Sequence, residues 1–533
     1  MLYRRSFLMS AAATAMYAAS LCAGTAHAQT PAPPLAGVPL TLDQVLDLGE
    51  ARSEAIAIAR ASIRRAEGDQ VRARSGLFPQ LSFTGSYDRA LASEYANLFN
   101  NFFNNGSGGS GSSGTTNGGE SLPFGQRNTW RATLTFSQNI YSGNRNGLQK
   151  QVAALGHDTA THGLTTARAQ ALLDITQAYY DAVLGERLVS IAQATLDQAS
   201  ATLRQAEAAF NAGSQPEFEV VRARVTRDNQ SPIVIRQRVN RAVALLRLKQ
   251  LLDLPGDYDL QLADALSEDR LPPPSVYATR VAAVEAALES SSSLASTIQS
   301  ELALPSRVVT TDAETALQLR ETSLELAEAQ RKPSASLNST FYRVGYPSGV
   351  VPLLDRTNWT IGASVQVPLL TGGRQKGDEL VARADVEQSR AQLRQTQELA
   401  ALDTRSAWAE LAAARAAWEA TSGTVQQATR AFQIADVRYQ SGVSTQLELS
   451  DSRLQLQQAE ANRAQAARDL QVARARVALL PELPLGAAST GAPVRVPQQQ
   501  LPQTNTPTPV QQTPGTGQLV NAGGAQGFTT GTR

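Results

Sequence analysis

"NTWRATLTFSQNIYSGNRNG", residues 128–147, returns as "TNWTIGASVQVPLLTGGRQK" at 357–376. The alignment pairs Trp130 with Trp359 and Gly143 with Gly372, an offset of 229 residues. The same offset relates "EAAFNAGSQPEFEVV" (207–221) to the stretch around "VRYQSGVSTQLELSD" (437–451), pairing Phe210 with Tyr439, Gly213 with Gly442 and Glu219 with Glu448. Gly143 to Gly213 and Gly372 to Gly442 therefore each span 70 positions, with no net insertion or deletion. Surface loops drift in length, whereas segments that must reach one level side by side cannot. Upstream, "LFPQLSFTGSY" (77–87) matches "QRKPSASLNSTFY" (330–342) at an offset of 254; the additional 25 residues fall in a Gly/Ser/Asn-rich loop, 97–126. The chain is an internal duplication.

Each copy has the same order of parts. The first repeat, 41–254, opens on an alanine-rich helical segment that Thr41 starts and Pro79 closes; the second, 311–482, opens on a similar segment with Asp312 and Pro333 in those places. Alternating stretches follow at about 79–90 and 128–140, then at about 333–344 and 358–368. Leu81, Phe83 and Tyr87 alternate with Ser82, Thr84 and Ser86, and Trp359, Ile361, Ala363 and Val365 with Thr360, Gly362 and Ser364. That is the period of strands with one apolar and one polar face. Only the stretch after Pro333 alternates poorly.

Long helical patterns come next, about 147–211 and 378–441. At 1.5 Å per residue each spans roughly 95 Å, far beyond a usual globular helix. Glycine turns lead into return helices at about 216–252 and 446–480. In the second, Leu449, Leu456, Leu470 and Val477 recur at sevens, with Ser452, Ala459, Ala466, Ala473 and Leu480 three residues later. Small residues in the second series allow close helix approach, a coiled-coil seam with a narrow waist. Pro232 predicts a kink or a break in the first return helix.

The ends are of another kind. Residues 1–28 carry Arg4 and Arg5, an apolar alanine-rich run and "AHA" before Gln29, the pattern of a cleavable export signal. It fits general secretion and, through the paired arginines, loosely resembles a twin-arginine signal. Cys22, the single cysteine, lies within it, and Leu21 directly before Cys22 does not suit a lipoprotein signal. Removing Arg4 and Arg5 takes the formal charge from +1 to −1. Mixed charges without a basic block give no reason to expect nucleic acid as a partner. Residues 29–40 read as a linker, 255–310 as a connecting segment, and 483–533, rich in Pro, Gln, Thr and Gly, as a disordered tail.

Enzymatic signatures are missing. His157 and His162 are five apart, off one helical face, with no cysteine beside them, so no metal site, cofactor or catalytic residue is expected. No nucleophile elbow or phosphate loop appears. Trp408 and Trp418 read as helix-packing residues.

Two hairpins cannot close a barrel, and their edges need pairing. In an exported protein, several chains can each give strands to one shared membrane barrel, with apolar residues toward lipid and Tyr87, Trp130, Tyr141 and Trp359 at the membrane interfaces. A soluble periplasmic coiled-coil adaptor or spacer is the alternative; it explains the helices and leaves the one-face-apolar strands unexplained.

Over about residues 40–482 the chain resembles the TolC-like outer-membrane efflux proteins. The resemblance rests on the duplicated order of parts, the proline before each strand pair ("LFPQLSF", "RKPSASL"), "YSGNR"/"LTGGR" at the strand-to-helix junction, and "AFNAG"/"RYQSG" at the turns. It implies a mostly α fold with a β-barrel part: a homotrimer whose chains each give four strands to a transmembrane barrel, continuous with a periplasmic α-helical barrel. It implies an exit duct in the outer membrane of a Gram-negative bacterium, serving a tripartite efflux pump or type I secretion. The partners would be outer-membrane lipid, a periplasmic adaptor and an inner-membrane RND or ABC transporter, with no chemistry performed. By position, Gly213, Ser214, Gly442 and Val443 would form the tips facing the adaptor. Glu219, Tyr439, Glu448 and Asp451 would belong to the periplasmic constriction, the carboxylates as acidic rings. Acidic residues early in a helix also suit its dipole, which is as good a reason for Glu219 taken alone and a lesser one for Glu448 with Asp451. Gly143, Arg145, Gly372 and Arg374 would shape the strand-to-helix corners.

Overall fold

The computed structural model describes residues 39–91, 128–264, 266, 271–290, 306–346 and 356–486. The expected signal segment, most of the linker, the Gly/Ser/Asn-rich loop, part of the connecting segment and almost all of the tail lie outside these residues.

Strand β1 (Pro39–Leu40) leads into α1 (Leu42–Arg52) and α2 (Glu54–Ser75), then β2 (Gln80–Arg89) and β3 (Asn128–Tyr141). Helices α3 (Arg145–Asn211) and α4 (Glu217–Leu251) complete the first repeat. β4 (Gln261–Leu262), paired in parallel with β1, and α5 (Ala278–Ser290) form the connection. The second repeat runs α6 (Val308–Ala329), β5 (Ser334–Gly345), β6 (Arg356–Gln366), α7 (Arg374–Gln440) and α8 (Gln446–Leu479). Both long helices, α3 and α7, have 67 residues, about 100 Å at 1.5 Å per residue. α2 and α6 have 22 residues each. The duplication is thus a duplication of lengths.

Contacts set the layering. Near the strands, α3 packs on α2 and α6, and α6 on α7; toward the turns, α3 packs on α4 and α8, and α8 on α7. α3 and α7 run through both levels, so each joins the sheet to a glycine turn.

The core lies at mid-height, where α1, α3, α5, α8 and the end of α4 converge. Val45, Leu173, Tyr179, Val183, Leu248, Leu252, Tyr277, Val281 and Leu479 are buried together there. Tyr179 O–H donates to Asp264 (2.9 Å) and to the Leu40 carbonyl (3.2 Å), and burial pushes its phenol up. Beside this core, Trp408, Leu411, Leu470, Val477 and Leu480 form a second cluster, with Trp418 packed against both. The heptad positions Leu449, Ala459, Ala466, Leu470, Val477 and Leu480 are buried.

Several expectations are corrected. The second repeat's first helix begins at Val308, not at Asp312. Its start is fixed by tertiary anchoring: Arg307, 2% exposed, donates to Asp403 (2.7 Å) and to the carbonyls of Ala400 (3.3 Å) and Leu483 (3.1 Å). Asp312 instead sits within the helix beside Thr159 and His162 of α3, where burial raises its carboxyl pKa. α4 runs through Pro232 as one helix rather than breaking there. The single segment expected from Thr41 is two helices, divided at Ser53, and Pro39–Leu40 of the expected linker form a strand.

The four long strands make one antiparallel sheet in the order β2-β3-β5-β6. Register gathers the apolar positions on one face. Phe83 faces Leu134, Leu134 faces Phe341 and Phe341 faces Trp359 in one row; Leu81, Phe136, Ser339 and Ile361 make the next. The poorly alternating strand β5 belongs to this face, and its Ser339 hydroxyl accepts the Trp359 indole N–H at 3.0 Å. The other face carries Ser82, Thr84, Thr133, Thr135, Thr340 and Thr360. Phe83, Trp359, Ile361 and Val365 are all largely exposed. Among the described residues, β2 and β6 each have an unpaired edge.

Candidate functional site

Two regions stand out, the glycine turns at one end of the long helices and the sheet at the other. The turns share one backbone. Gly213 (φ +73°) and Gly442 (φ +75°) are left-handed, a conformation that costs a side-chain-bearing residue about 1–2 kcal/mol. Gly213 N–H donates to the Phe210 carbonyl (2.8 Å) and Ser214 N–H to that of Ala209 (2.9 Å). Gly442 N–H donates to the Tyr439 carbonyl (3.0 Å) and Val443 N–H to that of Arg438 (2.9 Å). This is the Schellman arrangement twice, satisfying the last carbonyls of each long helix. Ser214 and Val443 are exposed beside the glycines.

Side chains hold the turns differently. In the second, Glu448 accepts from Arg438 (3.0 Å) and from the Ser444 hydroxyl (2.6 Å), a clamp across its own turn. In the first, Glu219 is reached from the other repeat. Buried Gln446, with its amide oriented to suit its neighbours, donates to the Glu219 carboxylate (3.0 Å) and carbonyl (3.2 Å) and accepts from Ala223 N–H (3.1 Å). Arg222 lies 4.0 Å from Glu219. Asp451 is exposed and, among the described residues, accepts from Gln455 (2.9 Å). Tyr439 is buried with Ala435 and Leu449; burial, then the nearby charge of Glu219, pushes its phenol up, and its hydroxyl makes no well-formed hydrogen bond.

Of the four expected constriction residues, the structure therefore brings Glu219 and Tyr439 together, commits Glu448 to Arg438, and leaves Asp451 exposed. Sequence reasoning missed Gln446, Arg438 and Ser444. The opposite charges of Arg438 and Glu448, ten positions apart across the turn, were the available signal for one pair; an ordinary glutamine gives none. It also missed Arg453, buried between repeats, which donates to Thr202 (3.0 Å) and lies over the Phe432 ring (5.8 Å). Burial lowers its pKa, with Asp436 opposing.

At the corners, Gly143 (φ +61°) and Gly372 (φ +58°) are each followed by a second left-handed residue, Asn144 and Gly373. Arg145 donates to the carbonyls of Ser142 (2.9 Å) and Lys332 (3.2 Å), and Asn146 to that of Gly76 (2.8 Å), tying α3 to the ends of both short helices. In the second repeat Gln375 donates to the Gln330 carbonyl (3.1 Å). On the sheet, Tyr87 and Trp130 lie against each other, centroids 4.8 Å apart, at the end far from the helices, and Tyr87 O–H donates to Asn128 (2.9 Å). Tyr141 lies at the helix end of the same apolar face, after a bulge. Trp359, matched in sequence to Trp130, is not level with it: Trp130 faces Gly345 and Trp359 faces Phe341. Among the described residues, no helix is long and apolar enough to cross a membrane, and no three His, Cys, Asp or Glu side chains could jointly hold a metal.

The profile of the Outer membrane efflux protein family matches residues 45–253 and 302–481. The chain belongs to this family. It is 23% identical over 434 residues to the pyoverdine export outer membrane protein OpmQ of Pseudomonas putida, 79% of this chain and 81% of that one. The CmeC outer membrane channel of Campylobacter jejuni superposes with a TM-score of 0.64 at 16% identity, covering 84% of this chain and 86% of the other. VceC of Vibrio cholerae does so at 0.61 and 18% identity, covering 83% and 96%. The chain is an outer-membrane efflux channel with a periplasmic helical part, a transport protein rather than an enzyme. Channels of the family form trimers and work in tripartite pumps.

Proposed function

We propose that three copies of this chain close one twelve-stranded outer-membrane barrel, four strands from each, whose helices carry the duct across the periplasm. The observation that carries the reading is the sheet: one apolar face, one polar face and two unpaired edges, which only lipid and further strands satisfy together. Trp130 to Tyr141 is eleven residue steps, about 28 Å when tilted some 40°, close to the roughly 25 Å apolar band of such barrels. Tyr87 and Trp130 then mark one interface and Tyr141 the other. Trp359 lies within the band, where Ser339 satisfies its indole N–H.

At the far end, Gly213, Ser214, Gly442 and Val443 present the turns to a periplasmic adaptor, and an inner-membrane RND or ABC transporter delivers the substrate. Glu219, Glu448 and Asp451 form acidic rings at the mouth, and Tyr439 packs the tips together. Because Arg438 offsets Glu448 and Gln446 engages Glu219, Asp451 contributes most of the free negative charge. Trimers in planar bilayers test this. Replacing Glu448 and Asp451 with alanine reduces cation preference, read as reversal potential under a salt gradient, and Asp451→Asn alone gives the larger share. Unchanged selectivity removes the acids from the constriction. A product recovered as soluble periplasmic protein without detergent overturns the channel and restores the adaptor alternative.

A further inference from the structure

The register that gathers the apolar positions also puts charge on that face, and at one end only. Along β2 the face carries Leu81, Phe83, Gly85, Tyr87 and then Arg89; along β5 it carries Leu337, Ser339, Phe341 and then Arg343. β3 and β6 add no charged residue to it. The lipid-facing side of the four strands therefore holds two charged side chains, both arginines, at the end far from the helices. Asp88, the acidic residue of these strands, belongs to the polar face. Arg343 and Arg89 are exposed, and neither guanidinium has a hydrogen bond or an ion pair among the described residues.

Arg343 stands in a row of small residues: Gly85 faces Ala132, Ala132 faces Arg343, and Arg343 faces Thr357. The next row outward holds Tyr87 and Trp130, and the next row inward Phe83, Leu134, Phe341 and Trp359. One long cationic side chain thus rises from a notch bordered by aromatic residues on both sides. The notch is open at Gly85, where a Cβ would meet the Phe83 ring at 3.9 Å and nothing closer. We infer that Arg343 holds the phosphate of an anionic, phosphorylated glycolipid of the outer leaflet, one at each copy, with Arg89 as the second cation of the site. This rests on the barrel reading and adds to it a lipid bound at a named place on the outer surface.

Depth and chemistry select that occupant. Two residues along β5 separate Arg343 from Gly345, which faces Trp130. In a strand tilted some 40° its Cα therefore lies about 5 Å inside the aromatic level. A cation on the lipid face costs more the deeper it lies, and a side chain of arginine's length brings its charged head back to the interface. What it meets there is headgroup phosphate, which a guanidinium binds through two parallel N–H···O bonds. The outer leaflet of such a membrane is built of phosphorylated glycolipid, so the anion is abundant at that level. Its acyl chains have room beside the arginine, where nothing in the row is larger than threonine, and an apolar wall in Phe341 and Trp359. Water alone would satisfy the charge and leave this notch unfilled. Toward the helices the same face offers no cation to a phosphate, since Leu81, Phe136, Ala335 and Val365 stand there. The site is therefore confined to the outer leaflet.

The test uses the whole chain, purified as trimers from outer membranes in mild detergent and stripped of lipid. It is titrated with a bis-phosphorylated, hexa-acylated disaccharide lipid while native mass spectrometry counts the lipids bound. Three bind per trimer, and Arg343→Gln weakens them about ten-fold, through loss of a charge-assisted bidentate contact. Arg343→Lys, which keeps the charge without the fork, gives a smaller loss. Arg131→Gln, one register step away on the polar face, leaves binding unchanged. On the unaltered chain, removing both phosphates from the lipid costs a similar factor, a comparison that needs no variant to fold. Equal binding of the two lipids, or no loss in Arg343→Gln, overturns the site and leaves the channel intact. Displacement of the lipid by millimolar inorganic phosphate also overturns it, since the site is then one for free anions. A loss in Arg131→Gln in place of Arg343→Gln inverts the two faces, and particles of monomer mass remove the trimer; either overturns the barrel reading and the lipid site with it.

Discussion

The two glycine turns have the same backbone and different restraints. Both use a left-handed glycine and the same pair of closing hydrogen bonds. Around Gly442 the chain clamps itself through Arg438, Ser444 and Glu448. Around Gly213 the ion pair between the helices stands further from the glycine, Arg224 with Glu207 (3.2 Å), and Glu219 is held by Gln446, which arrives from the second turn. Tyr439 is 8% exposed where its counterpart Phe210 is 42% exposed. Duplication kept what the main chain requires and let the side chains divide the work. The second turn is a self-contained unit with one hand on the first.

Three substitutions probe that asymmetry, in order of size. Gln446→Ala removes the link between the turns and leaves Glu219 without its buried donor, at about 1.5–3 kcal/mol for hydrogen bonds to a charged group. Amide exchange accelerates in both turns, most at Ser214; an effect confined to the second turn would show that the turns are not coupled through this residue. Gly213→Val and Gly442→Val each impose left-handed strain of about 1–2 kcal/mol in open space, roughly ten-fold faster local exchange. Equal costs are expected because the backbones match, and a large inequality would break the comparison. Arg438→Ala opens only the second clamp, a half-exposed pair of about 0.2–1 kcal/mol. Exchange at Val443 rises modestly while Ser214 is unmoved. Ala209→Arg, which places an arginine opposite Glu219 as Arg438 stands to Glu448, sharpens the comparison by slowing exchange at Ser214.

Much of this architecture was legible before any coordinates. The period-2 stretches, the glycines 70 positions apart and the heptads of α8 are local patterns, and local patterns fix element type and length. What escaped was decided by contact. Asp312 has the look of a helix start, but the helix begins where Arg307 finds Asp403 and two carbonyls distant in sequence. Pro232 carries no sign that α4 continues through it. At the turns, Glu219, Tyr439 and Glu448 could be nominated by position, whereas the partners that restrain them, Gln446 and Arg438, are ordinary polar residues until the helices are side by side. Arg453 and Arg307, buried as cations, were invisible for the same reason.

The open sheet edges also set a clock. Between Gln80 and Tyr87, and again from Thr357 to Gln366, no charged residue guards β2 or β6 against foreign strands, and no proline interrupts them. A newly exported copy therefore carries two adhesive borders and a bare apolar face until its companions arrive. Productive closure needs three copies to meet, so it quickens steeply with their local supply, and so does indiscriminate strand pairing. Synthesis that outruns membrane insertion converts the surplus into aggregate. The barrel's closure is thus a matter of timing as well as geometry: the borders that make the finished channel seamless are the ones that make the single chain short-lived.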